Sequence, residues 1–450
     1  MAISSGIHWS GKMLKMKFLD GDEWLYDPIK VKIWTSDGNM VQIPEEFISA
    51  NEDCSKGRNQ VFHHLACTKK DNNVQMKNPK DIRIVMGHAC NFRCKYCSQT
   101  HTKFVSLTDS DVDRLIDKLL EHLDLSELKR VQCWGGEPLL YWKAMQRIVS
   151  RIREVSPNAA LSIVTNGSLM NREICDWFLE NEKSAIILSH DAMAQTLMRG
   201  IDPIAEGSKT RDLWLQIAKE KNGEDVRARS TDAYGFAVNP VLSAGVKSIA
   251  KLVEWYDNAF GFRVPIAECI PVIPTKFKEA EKTTPYFGNL MDYTKMIYHD
   301  VLKVGLPTLK NYQLQIELFA AKLSMKDYEI NPQKAACFTT DPFMLSIDMN
   351  GRVLPCQNFA ADYVFENGES ALCGSIEDIE HVVRPTINGI GRRKKCQTCP
   401  VASFCMGGCP YLYGEAHELD CMVKWHHYMG FLMVYVKLLF SKDIIAIEPC

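Results

Sequence analysis

The run Met86–Gln99, M-G-H-A-C-N-F-R-C-K-Y-C-S-Q, carries three thiols in a C-x3-C-x2-C loop: Cys90, Cys94 and Cys97. Three thiolates this close can wrap one metal centre. A structural zinc site takes four ligands, and a [4Fe–4S] cluster has four corners. Three cysteines therefore leave one iron with an open position, where a substrate or cofactor can bind directly. A partial zinc site and a chance group of buried thiols are the blander readings of the same loop.

A second constellation lies far downstream. It reads Cys337, then Gly351-x4-Cys356, then Cys396-x2-Cys399-x5-Cys405-x3-Cys409, and finally Cys421. A zinc ribbon is the plain alternative for Cys396–Cys409. Cys54, His63, His64 and Cys67 are also metal-ligand types, but their spacing fits no site, and ordinary thiols and imidazoles are the better reading. The chain holds 17 cysteines. Its opening residues, M-A-I-S-S-G-I-H-W-S-G-K, lack the apolar core of a secretory signal. A reduced, cytoplasmic protein follows, in which clustered cysteines hold metals rather than disulfides.

The three-cysteine loop resembles that of the radical SAM superfamily, and Gly135-Gly136-Glu137-Pro138 resembles the superfamily's GGEP motif. Two glycines let backbone approach a ligand closely, and Glu137 can accept from a ligand ammonium group. The resemblance implies that S-adenosyl-L-methionine chelates the open iron and that reductive cleavage gives methionine and a 5′-deoxyadenosyl radical, which takes hydrogen from an unactivated carbon. Thr165-Asn166-Gly167 and Ser189-His190-Asp191 look like further strand ends of that family. By this likeness Asn166, Ser189 and Arg199 contact the cofactor, although a surface salt bridge is the plain reading of Arg199.

The downstream cysteines resemble the seven-cysteine SPASM domain, glycine included. The family pattern implies two auxiliary [4Fe–4S] clusters, one on Cys396, Cys399, Cys405 and Cys421, the other on Cys337, Cys356 and Cys409. A fourth ligand to the latter is Cys269, Cys373, or substrate. In sulfatase-maturing members an acidic base follows the second SPASM cysteine; Gln357 stands there, and an amide takes no proton. That activity is disfavoured.

These residues need elements to position them. Residues 1–80 read as a β-rich extension, with strands at Ile29–Trp34 and Met40–Ile43 around the turn Ser36–Asn39. From Asp81 strands and helices alternate. Thr108-x-x-Asp111 is a capping box, and Val112, Leu115, Ile116, Leu119, Leu120 and Leu123 follow helical spacing. Strands are expected at Ile82–Met86, Arg130–Trp134, Leu161–Thr165, Ala185–Ser189, Gly235–Val241 and Ile266–Val272. Repeated βα units imply a parallel sheet with chemistry at its carboxyl ends, where every motif above falls. With the resemblance, the expected α/β architecture is a partial (β/α)6 barrel over 81–300, a helical connector over 301–336, the SPASM domain over 337–422 and a C-terminal helix over 423–450.

Composition bounds the function. With 450 residues, 46% hydrophobic and 24% charged, the chain is an ordinary globular one of about two or three domains. Its net charge of −2 gives no global field for nucleic acid. Arg392-Arg393-Lys394-Lys395, the densest basic run, reads as a solvated loop. Tyr428–Val436 is too short to span a bilayer, and a membrane role is not expected.

The resemblance implies an oxidoreductase or isomerase acting on an amino-acid group carried by a macromolecule, with an electron donor such as flavodoxin or ferredoxin. The stretch Ser189–Gln195 with Arg199-Gly-Ile-Asp-Pro203 looks like bacteriophage radical SAM proteins of thymidine hypermodification. The leading expectation is therefore radical isomerisation of an amino-acyl-modified thymidine in DNA, in a host cytoplasm. The alternative is a peptide maturase that cross-links, epimerises or cleaves a ribosomal precursor. A non-enzymatic electron carrier is disfavoured, because a carrier needs no cofactor pocket.

Overall fold

The computed structural model describes residues 13–43, 74–99, 101–222, 235–272, 282–325, 328–330, 343–384 and 393–449, with the single residues 337, 339, 341 and 390. Cys54, His63, His64 and Cys67 lie outside them.

Two sheets form. The smaller is antiparallel, ordered β12-β1-β2-β3, from β1 (Leu14–Phe18), β2 (Glu23–Asp27), β3 (Lys32–Thr35) and β12 (Ile444–Pro449). Alternation builds it: Leu14, Met16 and Phe18 are buried while Lys15 and Lys17 face outward. Of the expected strand Met40–Ile43, only Met40 bridges back, to Trp34. The end of the chain is a strand rather than the tail of a helix. Ile444 and Ile447 are buried, and the strand pairs with β1 in register from Leu14↔Pro449 to Phe18↔Ile444.

The larger sheet has eight strands, ordered β11-β10-β9-β4-β5-β6-β7-β8. Its parallel run comprises β9 (Met344–Asp348), β4 (Asp81–Val85), β5 (Arg130–Trp134), β6 (Ala160–Thr165), β7 (Ser184–Leu188) and β8 (Gly235–Val238). The short β10 (Arg352–Leu354) and β11 (Gly374–Ser375) add an antiparallel edge. No closed barrel forms among the described residues. The expected sixth barrel strand touches its neighbour only through isolated parallel bridges, Val238↔Ile266 and Val241↔Ile270. Pro240, Pro265 and Pro271 explain this, since none can donate to a ladder.

The helices are α1 (Asp109–His122), α2 (Trp142–Val155), α3 (Arg172–Glu180), α4 (Gln195–Met198), α5 (Arg211–Asn222), α6 (Ile249–Phe260), α7 (Leu290–Val304), α8 (Lys310–Ser324), α9 (Ala402–Cys405) and α10 (Gly414–Phe440). The capping box at α1 is formed in both directions between Thr108 and Asp111. α10 starts before Cys421 and is buried on most sides, packing against α7; a helix apolar around its circumference belongs inside. No helix among the described residues is long and apolar enough to cross a membrane.

Arg393 departs from the solvated-loop reading of the basic run. It turns inward and donates to the carbonyls of Gly407 (2.5 Å) and Leu412 (3.0 Å), while Lys395 pairs with Glu418 at 2.7 Å.

Candidate active site

The three-cysteine loop leaves β4 at its carboxyl end and is anchored from below. Phe92 and Tyr96 are buried beneath it, and the Lys95 amide donates to the Met198 carbonyl at 2.9 Å. Cys90, Cys94 and Cys97 are each half-buried. Burial pushes the Cys90 thiol up and the Cys94 thiol up to about 11; the charge of Cys97 raises both, and that of Cys90 raises Cys94.

Gly135 and Gly136 follow β5 and clamp this loop. A Cβ on Gly135 would stand 2.3 Å from the Gly87 carbonyl oxygen, and one on Gly136 would stand 2.3 Å from that of Ala89. The Gly136 amide donates to Gly87 (3.0 Å) and the Glu137 amide to Ala89 (2.8 Å). A close approach that requires glycine is thus made between two protein backbones.

Glu137 is buried and its carboxylate is occupied by protein donors. Oε1 accepts from the Leu139 amide (2.9 Å) and Thr165 Oγ1 (2.6 Å); Oε2 accepts from the Asn166 amide (2.8 Å). Burial pushes its carboxyl up while these donors pull it down. The side chain ties the end of β5 to the end of β6. Pro138 opens the short turn Pro138–Tyr141, where a missing amide hydrogen costs nothing. Asn166 extends the tie: Nδ2 donates to Asn91 Oδ1 (2.8 Å) and lies 3.9 Å from Cys90 Sγ.

Arg199 is neither exposed nor a simple surface ion pair. Its buried guanidinium lies 3.1 Å from Asp191 Oδ2 and 4.0 Å from Cys94 Sγ, and stacks over the Tyr96 ring. Asp191 also accepts from Tyr96 Oη and, at 3.0 Å, from the Val241 amide. This carboxylate, which sequence reasoning did not single out, joins the cysteine loop, α4 and the segment after β8. Ser189 is half-buried on the β7 end, with its amide on the Thr165 carbonyl at 2.8 Å. His88 was also missed; it is buried, and neither ring nitrogen has a partner among the described residues.

Two cavities flank the loop. One of 420 Å³ is lined by residues including Cys90, Arg93, His101 and Lys103; another of 330 Å³ includes His88, Asp348 and Arg352. The parallel strands also have an inner face. Ile84, Cys133, Ile163, Ile186 and Val238 are fully buried, on the side where Phe236 meets Trp214 of α5 and Phe260 of α6. At alternate positions Arg83, Trp134, Ser162, Ile187 and Ala237 are only half-buried, on the opposite face of the same strands. Arg83 donates to Gln357 Oε1 at 2.7 Å, so the amide after Cys356 acts as an acceptor. Glu268 is accessible to solvent, yet enough protein surrounds it to push its carboxyl up, with Arg83 as its charged neighbour and Tyr428 of α10 beside it.

The downstream cysteines fall into two groups. Cys396, Cys399, Cys405 and Cys421 lie within reach of one another's charge. Cys356, pushed up to about 12 by burial, has Cys337 and Cys409 as its sulfur neighbours. Cys269 has Asp191, Tyr293 and Tyr312 as its neighbours. Cys373 lies near Tyr411, which borders Cys356 and Cys337. Lys424 and Asp420, paired at 2.8 Å, pack against Gly408 between Cys405 and Cys409.

Residues 84–230 match the Radical SAM superfamily profile. Over these residues the chain is similar to that superfamily. The superfamily's cofactors are a [4Fe–4S] cluster and S-adenosylmethionine, and its members are enzymes of radical reactions. The residues present fit that group by their donor set: three half-buried thiols on one clamped loop beside a cavity of 420 Å³. No three His, Cys, Asp or Glu side chains among the described residues converge tightly enough for a single metal ion.

The chain is similar to the radical SAM cyclopropyl synthase TigE of Paramaledivibacter caminithermalis, 25% identical over 228 residues, 46% of this chain and 47% of that protein. It is also similar to the GTP 3′,8-cyclase of Helicobacter pylori, 24% identical over 229 residues, 47% of this chain and 68% of the cyclase. The chain thus spans about half the length of the first relative. Among solved structures it is similar to anSMEcpe with bound AdoMet and Cp18Cys peptide, with a TM-score of 0.56 at 17% identity, covering 81% of this chain and 98% of that one. That likeness is one of fold.

Proposed function

We propose that this chain is a radical SAM enzyme that removes a hydrogen atom from an amino-acid group of a peptide. The observation that carries this reading is the clamped Cys90–Cys97 loop at the carboxyl end of β4, a strand to which the second cysteine segment is also tied through the Arg83–Gln357 hydrogen bond.

Cys90, Cys94 and Cys97 would hold a [4Fe–4S] cluster, with S-adenosylmethionine on its open iron. Cys396, Cys399, Cys405 and Cys421, and separately Cys337, Cys356 and Cys409, would hold two auxiliary clusters of SPASM type. When bound, the first group supplies one-electron chemistry able to break an unactivated carbon–hydrogen bond. The protein's own work is placement. Glu137 and Asn166 hold the loop against two strand ends, and Asp191 with Arg199 fixes its far side. The half-buried face of the strands would shelter the reacting carbon and limit competing water.

A peptide is favoured over the amino-acyl thymidine of phage-type DNA because the neighbour anSMEcpe was solved with a peptide bound. The test is binding of the anaerobically reconstituted protein to duplex DNA across a salt series. The peptide reading predicts no binding with a steep salt slope. Affinity that falls steeply with salt would report several phosphate contacts and move the substrate to nucleic acid.

A further inference from the structure

Tyr411, two positions after Cys409, is buried with its hydroxyl unanswered. Its ring stacks on Phe365 at 4.9 Å between centroids and meets Phe359 edge-on at 5.5 Å. The residue is 5% exposed, and Oη has no hydrogen-bond partner among the described residues. A buried tyrosine hydroxyl is ordinarily bonded, because leaving it bare is costly. The surroundings point to the missing partner. Cys356 and Cys409 pack against the small group of side chains that Tyr411 forms with Phe365 and Ala371. Burial pushes the Tyr411 hydroxyl up, and Cys373, Cys356 and Cys337 are the sulfurs near enough to add to that. The Cys373 thiol is turned to the Ala371 carbonyl, at 3.6 Å. The hydroxyl bonds to none of these sulfurs directly. The acceptor that fits is therefore a group held among Cys337, Cys356 and Cys409. An iron–sulfur cluster on those thiols presents such acceptors, since its sulfurs take hydrogen bonds.

We propose that the Tyr411 hydroxyl donates a hydrogen bond to a sulfur of the cluster held by Cys337, Cys356 and Cys409, and thereby raises that cluster's reduction potential. This rests on the auxiliary clusters of the functional reading above and gives one of them a tuning residue. Reduction adds negative charge to the cluster, so a fixed donor favours the reduced form. Tyr411 acts through the cluster and is a positioning residue: Phe359 and Phe365 hold its ring, and the hydroxyl is what the cluster meets.

The test uses the full chain, anaerobically reconstituted. Midpoint potentials are read by redox titration followed by electron paramagnetic resonance, in the native chain and in Tyr411→Phe. One cluster potential should fall by about 59 mV, a tenfold change in its reduction equilibrium. The other potentials and the iron content should stay as they are. Potentials that all match the native ones, with iron retained, would overturn the proposal, as would a shift shared by every cluster. Should Tyr411→Phe lose iron, 3-fluorotyrosine placed at position 411 decides the matter. It keeps the ring's shape and is a stronger donor, so the same potential should rise; an unmoved potential overturns the proposal. Failure of the auxiliary-cluster reading is seen separately, in the iron content of the native chain. About twelve irons support that reading. About four leave only the first cluster, and overturn the reading and this proposal together.

Discussion

Replacing Glu137 by Gln keeps the side chain's shape and removes one of its acceptor oxygens. In the native chain three donors share that carboxylate: the Leu139 amide, the Thr165 hydroxyl and the Asn166 amide. A glutamine can turn its oxygen toward Asn166 or toward Leu139 and Thr165, but not toward both sides. The Thr165 hydroxyl can rotate to accept; the two backbone amides cannot. One buried amide must then face an NH2 group, at a cost of about 1–3 kcal/mol. The surviving bonds lose their charge assistance, while the relief of burying a neutral group offsets part of that. A net local loss of about 2 kcal/mol corresponds to roughly thirtyfold faster opening. Hydrogen–deuterium exchange followed by mass spectrometry should show it in peptides covering 135–141 and 163–170, with weaker iron retention by the adjoining loop. Unchanged exchange in both segments together with lost S-adenosylmethionine binding would refute the reasoning. The carboxylate would then act on the ligand rather than on the strand ends.

Two further outcomes follow from buried charge. Asp191→Asn leaves the Arg199 guanidinium beside Cys94 without its anion, and should cost about 3 kcal/mol or more in denaturant unfolding and expose the cysteine loop to proteolysis. His426 and His427 of α10 are held neutral by burial, with pKa values lowered to about 4 and about 3. The unfolded chain binds protons at these sites first, so stability should be full above pH 6.5 and fall as pH drops toward those values. The slope should be at most about 1.4 kcal/mol per pH unit for each site, and urea midpoints at pH 7 and pH 5 would measure it.

The local chemistry was legible where it is written in neighbouring residues. The Thr108–Asp111 cap, the cysteine loop at the end of β4 and the glycine pair after β5 follow from short patterns. What those residues touch was not legible. Gly136 meets the Ala89 carbonyl some fifty positions upstream in the chain, and Glu137 meets Asn166 on the next strand. Pairing over long separations escaped in the same way. β12 reads as a short apolar run, and only β1, at the other end of the chain, makes it a strand. β9 belongs to the cysteine-rich half in sequence but lies parallel to β4 in the main sheet. The irregular strand at Ile266–Ile270 was expected to be continuous because its apolar residues outweighed its flanking prolines. Its irregularity accompanies the exposure of Glu268 to solvent.

The central claim is that the Cys90, Cys94 and Cys97 loop does the radical chemistry. The direct measurement is 5′-deoxyadenosine formation by the reconstituted chain under a strong reductant, beside a variant with all three cysteines changed to Ala. The native chain should produce deoxyadenosine, and the variant should lose about four irons and all of that activity. Deoxyadenosine formed by the variant at the native rate would contradict the account.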